Sequence, residues 1–189
     1  MKKSFNYLIF GVATIALFAF IKVENQPKEN FSETFVQVLE HAKEYTLEVA
    51  KEMPAEKYTY RPTDSVRSFG EQMAHIGMST KFILKVFVKG EELNFDPAET
   101  AKMEKQIGAS KEDCIKSIEV AFDEVITALE GMNDKDLQST FVFFFSPEKP
   151  EFSKEDGFIF IRDHITHHRA QAIVYLRMNE EVPPGYRAF

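Results

Sequence analysis

Apolar residues recur along most of this chain with the 3.6-residue period of a helix packed on one side. Nowhere do they alternate in the sustained two-residue pattern of a strand. Four stretches carry the helical pattern. In residues 31–53, Phe35, Val38, Leu39, Ala42, Val49 and Met53 fall on one face, and Pro54 closes the run. Residues 68–89 open with Ser68 and Glu71, a capping box in which the two side chains satisfy each other's free backbone N–H groups. Met73, Ile76, Ile83 and Phe87 form the stripe of this second helix, and Gly90 stops it.

The third stretch, residues 110–129, is capped by Ser110 with Asp113 three residues on, and ends at Gly131. Its core face is Cys114 or Ile115, then Ile118, Phe122, Val125, Ile126 and Leu129. The fourth begins after Ser153, with Asp156 three residues later, and runs to about Met178 before Pro183 and Pro184 forbid further helix. Four helices, each apolar on one side, bury those sides most economically against one another, so the predicted fold is an all-α four-helix bundle. The connections are long: about 14, about 20 and about 22 residues. The last contains FVFFF at 141–145, a short strand or a loop that plugs one end of the bundle, read as core packing before ligand pocket.

Residues 1–22 stand apart. Lys2 and Lys3 precede YLIFGVATIALFAFI, fifteen residues without a charge, which is the pattern of an export signal. Fifteen is short for a full membrane span of about 20 residues. No small-x-small cleavage site follows, so retention as an N-terminal membrane anchor is the alternative to removal. Residues 23–30 read as a linker and 31–189 as the folded domain. The expected location is therefore outside the cytoplasm, periplasmic or attached to the cell envelope.

Charge and cysteine count narrow the chemistry. The chain of 189 residues has a formal net charge of −7, and beyond residue 22 it holds 20 basic against 30 acidic residues, a net −10. Such a body repels phosphate backbones, which argues against a nucleic-acid partner. The single cysteine, Cys114, excludes an internal disulfide and any cysteine-based zinc cluster, and its place on an amphipathic helix without a nearby histidine makes it a poor nucleophile.

The candidate chemistry lies in DHITHHRAQ, residues 163–171. His164 and His168, four apart, project from one helix face and share it with Ile161, Ile165, Ala172 and Leu176. Two imidazoles on a core-facing stripe need partners, either hydrogen bonds or a shared metal ion. His75 lies at the margin of the second helix's buried face and offers a third nitrogen. Three histidines with open positions make a catalytic rather than a closed structural metal site. His167 is turned about 100° from His168, toward solvent or a supporting partner. His41 is read as a solvent-facing or packing residue. Among their neighbours, Arg169 is a candidate to hold an anionic substrate group or a carboxylate on another helix. Gln171 and Asp163 are candidates to orient a ligand imidazole.

AHI at 74–76 and HITHHRAQ at 164–171 together resemble the DinB family of four-helix-bundle metalloproteins (DinB/YfiT-like). MPAEKYTYRPTDSVRSFGEQMAHI and LRMNEEVPPGY extend the likeness over about residues 31–184. The resemblance implies that His75, His164 and His168 bind a divalent metal ion, for which zinc, nickel and iron all suit histidine nitrogen. The family's last-helix motif commonly reads HRGQ, here His168-Arg169-Ala170-Gln171. The export signal and the long third connection depart from the usual pattern. The expected activity is thiol-dependent transfer or isomerisation, as some relatives perform, or hydrolysis, on a small-molecule substrate. The alternative is a non-catalytic metal-binding or interaction module of the envelope. A homodimer is expected by resemblance alone.

Overall fold

The computed structural model describes residues 30–187. The expected signal or anchor, residues 1–22, lies outside the described residues, as does nearly all of the linker. Among the described residues no helix is long and apolar enough to cross a membrane.

The long helices are α1 (Phe31–Glu52), α2 (Phe69–Ile83), α4 (Lys111–Glu130) and α6 (Lys154–Met178), with α3 (Pro97–Gly108) and the one-turn α5 (Asp134–Leu137) in the connections. Helix α1 packs along α4 and α6, and α2 packs along the same two, so α1 and α2 occupy opposite corners of a four-helix bundle. That diagonal step explains the long first connection. The chain crosses the end of the bundle through a 3₁₀ turn (Ala55–Lys57) and is pinned to the start of α2. The N–H groups of Phe69 and Gly70 donate to the carbonyls of Tyr60 and Tyr58 at 2.8 Å each, and the buried Tyr58 hydroxyl donates to Ala50 O at 2.6 Å.

The caps read from the sequence are present. Ser68 and Glu71 form their reciprocal pair, as do Ser153 and Asp156, while Ser110 accepts from the Asp113 N–H. The stripes meet in one core, with Leu39, Val49, Met53, Met73, Ile76, Ile118, Phe122, Phe158, Ile161 and Leu176 all fully buried. Each such side chain contributes roughly 1.5–3 kcal/mol relative to remaining exposed. Of the two candidates on the third stripe, Cys114 takes the core position and Ile115 is half-buried. Burial pushes the Cys114 thiol up to about 12, in keeping with an inert packing residue.

One connection holds a helix that was not read from the pattern. The second connection contains α3, started by Asp96, whose side chain accepts from the Ala98 and Glu99 N–H groups, and by Pro97 at the first turn. It lies against α2 at a contact between glycines: a Cβ added to Gly70 would come within 1.8 Å of Gly108 O. The end of α2 also winds wider, as a π turn over Leu84–Val88, before Gly90 at φ +71° ends it. The third connection forms an antiparallel hairpin of β1 (Thr140–Val142) and β2 (Glu151–Ser153), with Phe141 opposite Phe152. Its phenylalanines divide. Phe141, Phe143 and Phe144 gather around buried Phe87, with ring centroids 5.0–5.3 Å away, while Phe145 is 56% exposed.

Candidate metal centre

His75 sits nearly two turns into α2, on the helix that Tyr58 and Tyr60 pin in place; His164 and His168 sit one turn apart on α6, which packs along α2. Their nitrogens converge. One ligand atom from each lies within 4.8 Å of the others, and the Nε2 atoms of His75 and His164 are 3.2 Å apart. Two nitrogens bound about 2.0–2.1 Å from one tetrahedral zinc ion stand roughly 3.3 Å apart, so this spacing suits a shared ion.

Hydrogen bonds orient two of the three rings. His75 Nδ1 is 2.8 Å from Glu104 Oε2, and the other carboxylate oxygen of Glu104 accepts from Arg67 Nε at 2.5 Å. His168 Nδ1 is 2.8 Å from Gln72 Oε1, while Gln72 Nε2 donates to Gln171 Oε1 at 2.6 Å. Both acceptors place the ring proton on Nδ1 and leave Nε2 as the free lone pair. Glu104 is nearly buried. Burial alone would raise its carboxyl, but the hydrogen bonds from His75 and Arg67 outweigh that and hold it below the ordinary range.

The two α6 rings are also kept neutral. Burial first, then the proximity of His75, pushes His164 down to about 4 and His168 down to about 3. A neutral imidazole is the form that binds a metal. The same shifts set a pH dependence for the metal-free protein. An unfolded chain takes up protons at these histidines below about 6.5, whereas the folded chain resists until about 4 and 3. The unfolded state then binds more protons, so stability falls as pH drops through that window. Urea midpoints of the metal-free protein at pH 7.5, 6 and 5 are expected to decline in that order, and the decline should flatten in a His164→Gln/His168→Gln variant.

The remaining expected residues fall elsewhere. Gln171 touches no triad imidazole; it acts through Gln72, and its own amide donates to His167 Nε2 at 2.9 Å. Asp163 is an exposed acid 3.1 Å from Arg162 Nη2 and orients no imidazole. Arg169 turns away from the triad and meets no carboxylate among the described residues. Its guanidinium donates to Ala42 O and Thr46 Oγ1 on α1 and lies 4.5 Å from the Tyr45 ring centre. His41 is exposed on α1.

Two residues of the site escaped the sequence reading. Gln72 stands three positions before His75 on the same helix face, a spacing that was there to be noticed. Glu104 had only the Asp96-Pro97 start of α3 as a signal, and nothing tied it to His75. Glu104→Gln, which keeps an acceptor but removes the charge, is expected to weaken metal binding about tenfold, read by competition with a chromophoric chelator. Unchanged affinity would reduce Glu104 to packing.

Beside the triad opens a cavity of about 610 Å³. His75 and His164 form one wall, and Phe82, Phe95, Phe145 and Phe160 much of the rest. The Phe82 ring centre lies 5.5 Å from that of Phe95 and 6.2 Å from that of Phe145, tilted against both. FVFFF therefore serves both roles weighed for it, core through Phe143 and Phe144, cavity wall through Phe145.

The family model of the DinB superfamily matches residues 38–172. Among solved structures, the chain is similar to a DinB-like protein from Bacillus cereus, with 19% identity and a TM-score of 0.67, covering 82% of this chain and 97% of that one. A DinB-like protein from Bacillus subtilis gives 16% identity and a TM-score of 0.61, covering 82% and 98%. YfiT from Bacillus subtilis, described as a probable metal-dependent hydrolase with an unusual four-helix bundle topology, gives 16% and 0.62, covering 79% and 87%. No curated protein matches the chain.

Proposed function

The chain belongs to the DinB superfamily, and from that premise we propose that it is a metal-dependent enzyme acting on a small, largely apolar substrate, with His75, His164 and His168 as the ligands. The observation that carries this reading is the aromatic cavity, about 610 Å³, with two of the three imidazoles in its wall. A purely structural metal site is closed by its ligands and needs no such space. When bound, a divalent ion such as zinc, nickel or iron supplies Lewis acidity and lowers the pKa of water or a thiol at its open position.

The chain's own contributions follow from the geometry. Glu104 and Gln72 hold the His75 and His168 rings with Nε2 free. Phe82, Phe95 and Phe145 bind the apolar body of the substrate and keep water from it. Glu104 is already engaged by His75 and Arg67 and is not a free proton acceptor. Hydrolysis is the form of the reading we favour, in line with what YfiT is described as doing. Thiol transfer needs a low-molecular-weight thiol, mainly a cytosolic reagent, which fits poorly with the export proposed for residues 1–22. The cavity wall includes no carboxylate among the described residues, and this favours, as second reading, a metal-binding module without turnover.

A series of alkyl hydroxamates, from acetyl to octanoyl, separates these readings when titrated into the zinc-loaded protein. Binding is expected to tighten by up to roughly fourfold per methylene as the chain fills the cavity, and Phe145→Ser should reduce the increment. Chain-length-dependent cleavage of the matching nitrophenyl esters, absent from His168→Ala, supports the enzyme. The same binding trend without cleavage supports the second reading, and no trend contradicts the cavity's role.

A further inference from the structure

The far side of α6 carries a second cluster that the metal centre does not use. Arg162, Thr166 and Arg169 recur along one stripe of α6, facing His41 and Tyr45 on α1, with Tyr186 and Arg187 alongside them. Between them lies a cavity of about 70 Å³. Arginine is rarely buried without an anionic partner. Yet Arg169 is only 7% exposed, and its partners are all neutral: Ala42 O at 3.4 Å, Thr46 Oγ1 at 3.2 Å, Thr166 Oγ1 at 3.4 Å and the face of Tyr45, 4.5 Å from its ring centre. Arg162 leaves its Nε buried without an acceptor among the described residues, although its Nη2 reaches Asp163.

The charges around the cavity are unevenly matched. Arg187 pairs with Glu44 and Glu48, and one edge of Arg162 pairs with Asp163. Arg169 has no carboxylate within reach among the described residues. A buried cation and a buried unpaired N–H around one small space describe the receptor half of an anion site. Water occupies about 30 Å³ per molecule in the liquid, so this space takes one small ion or the head of a larger molecule, and no more.

We propose that this cavity binds one small oxyanion, phosphate or sulfate, held by Arg169 and by the Nε edge of Arg162 and bordered by Tyr186 and Arg187. The site is separate from the histidine triad and does not depend on it. The anion would complete the hydrogen bonds of Arg162 and join α6 to α1 and to Arg187, so its occupancy stabilises the fold.

Thermal unfolding of the full chain in a chloride buffer tests this, with phosphate, sulfate and acetate added separately at constant ionic strength. Phosphate or sulfate at a hundredfold excess over Kd is expected to raise Tm by roughly 5 °C or more. A larger response to phosphate or to sulfate identifies the source; an equal response to acetate would assign the site to carboxylates and overturn the tetrahedral choice. Arg162→Gln, at the half-buried rim, is expected to fold and to lose about tenfold or more of the anion affinity. It should leave metal content unchanged. Arg169→Gln is the more severe variant, and its destabilisation alone would decide nothing without the anion titration. A wild-type protein that responds to these anions no more than to matched sodium chloride, or an Arg162→Gln protein with an undiminished response, overturns the proposal.

Discussion

Gly70→Ala is expected to lower Tm by roughly 5 °C and to weaken metal binding about tenfold, although residue 70 touches no histidine of the centre. The added Cβ would lie 1.8 Å from Gly108 O and 2.8 Å from Gly108 C, both backbone atoms that cannot rotate away. From the other side, a Cβ on Gly108 would meet Glu71 N at 2.7 Å. Helices α2 and α3 therefore run backbone on backbone at this point, and His75, five residues after Gly70, stands 2.8 Å from Glu104, four residues before Gly108. Alanine must push α3 outward and draw the Glu104 carboxylate off the imidazole. Thermal unfolding and a metal titration on the same protein check the two effects together. A Gly70→Ala protein that loses stability and keeps wild-type metal affinity would show that α3 does not position the ligand.

Metal itself is expected to have a larger effect on stability. A ligand bound only by the folded chain, at a thousandfold excess over Kd, adds about 4 kcal/mol. For a chain of this length that corresponds to a rise in Tm of about 8–16 °C. His168→Ala should abolish the rise and yet remain helical, because the core of Phe122, Phe158, Ile161 and their neighbours is independent of the imidazole. Differential scanning calorimetry with and without zinc, on both proteins, reads the difference directly. An equal rise in His168→Ala would remove His168 from the ligand set.

The four long helices were legible because each buries an apolar stripe and most carry their own start signal, as Ser68 with Glu71 and Ser153 with Asp156 show. The triad was legible for a related reason: histidines four apart on a core stripe need partners. Helix α3 was not, and the cause is physical. Its buried residues are Glu104 and Gly108, a carboxylate and a glycine, while Met103 is exposed and Ile107 only half-buried. A helix held by a glycine contact and an ion pair has no hydrophobic period to read. Glu104 was hidden with it, since its role arises only when α3 is laid on α2. Of the two roles weighed for Arg169, the carboxylate on another helix is not met among the described residues. The roughly 100° turn from His168 points it away from the triad, but that it meets a hydroxyl, a carbonyl and Tyr45 instead of a carboxylate depends on what α1 presents there.

The central claim is that His75, His164 and His168 together hold one divalent ion. Elemental analysis of the full chain, purified without a histidine tag, tests it most directly when run beside the His75→Ala/His164→Ala/His168→Ala protein. The account predicts about one equivalent of zinc, nickel or iron in the first and none in the second. No metal in either, with none taken up on addition, or an equal content in both, would contradict it.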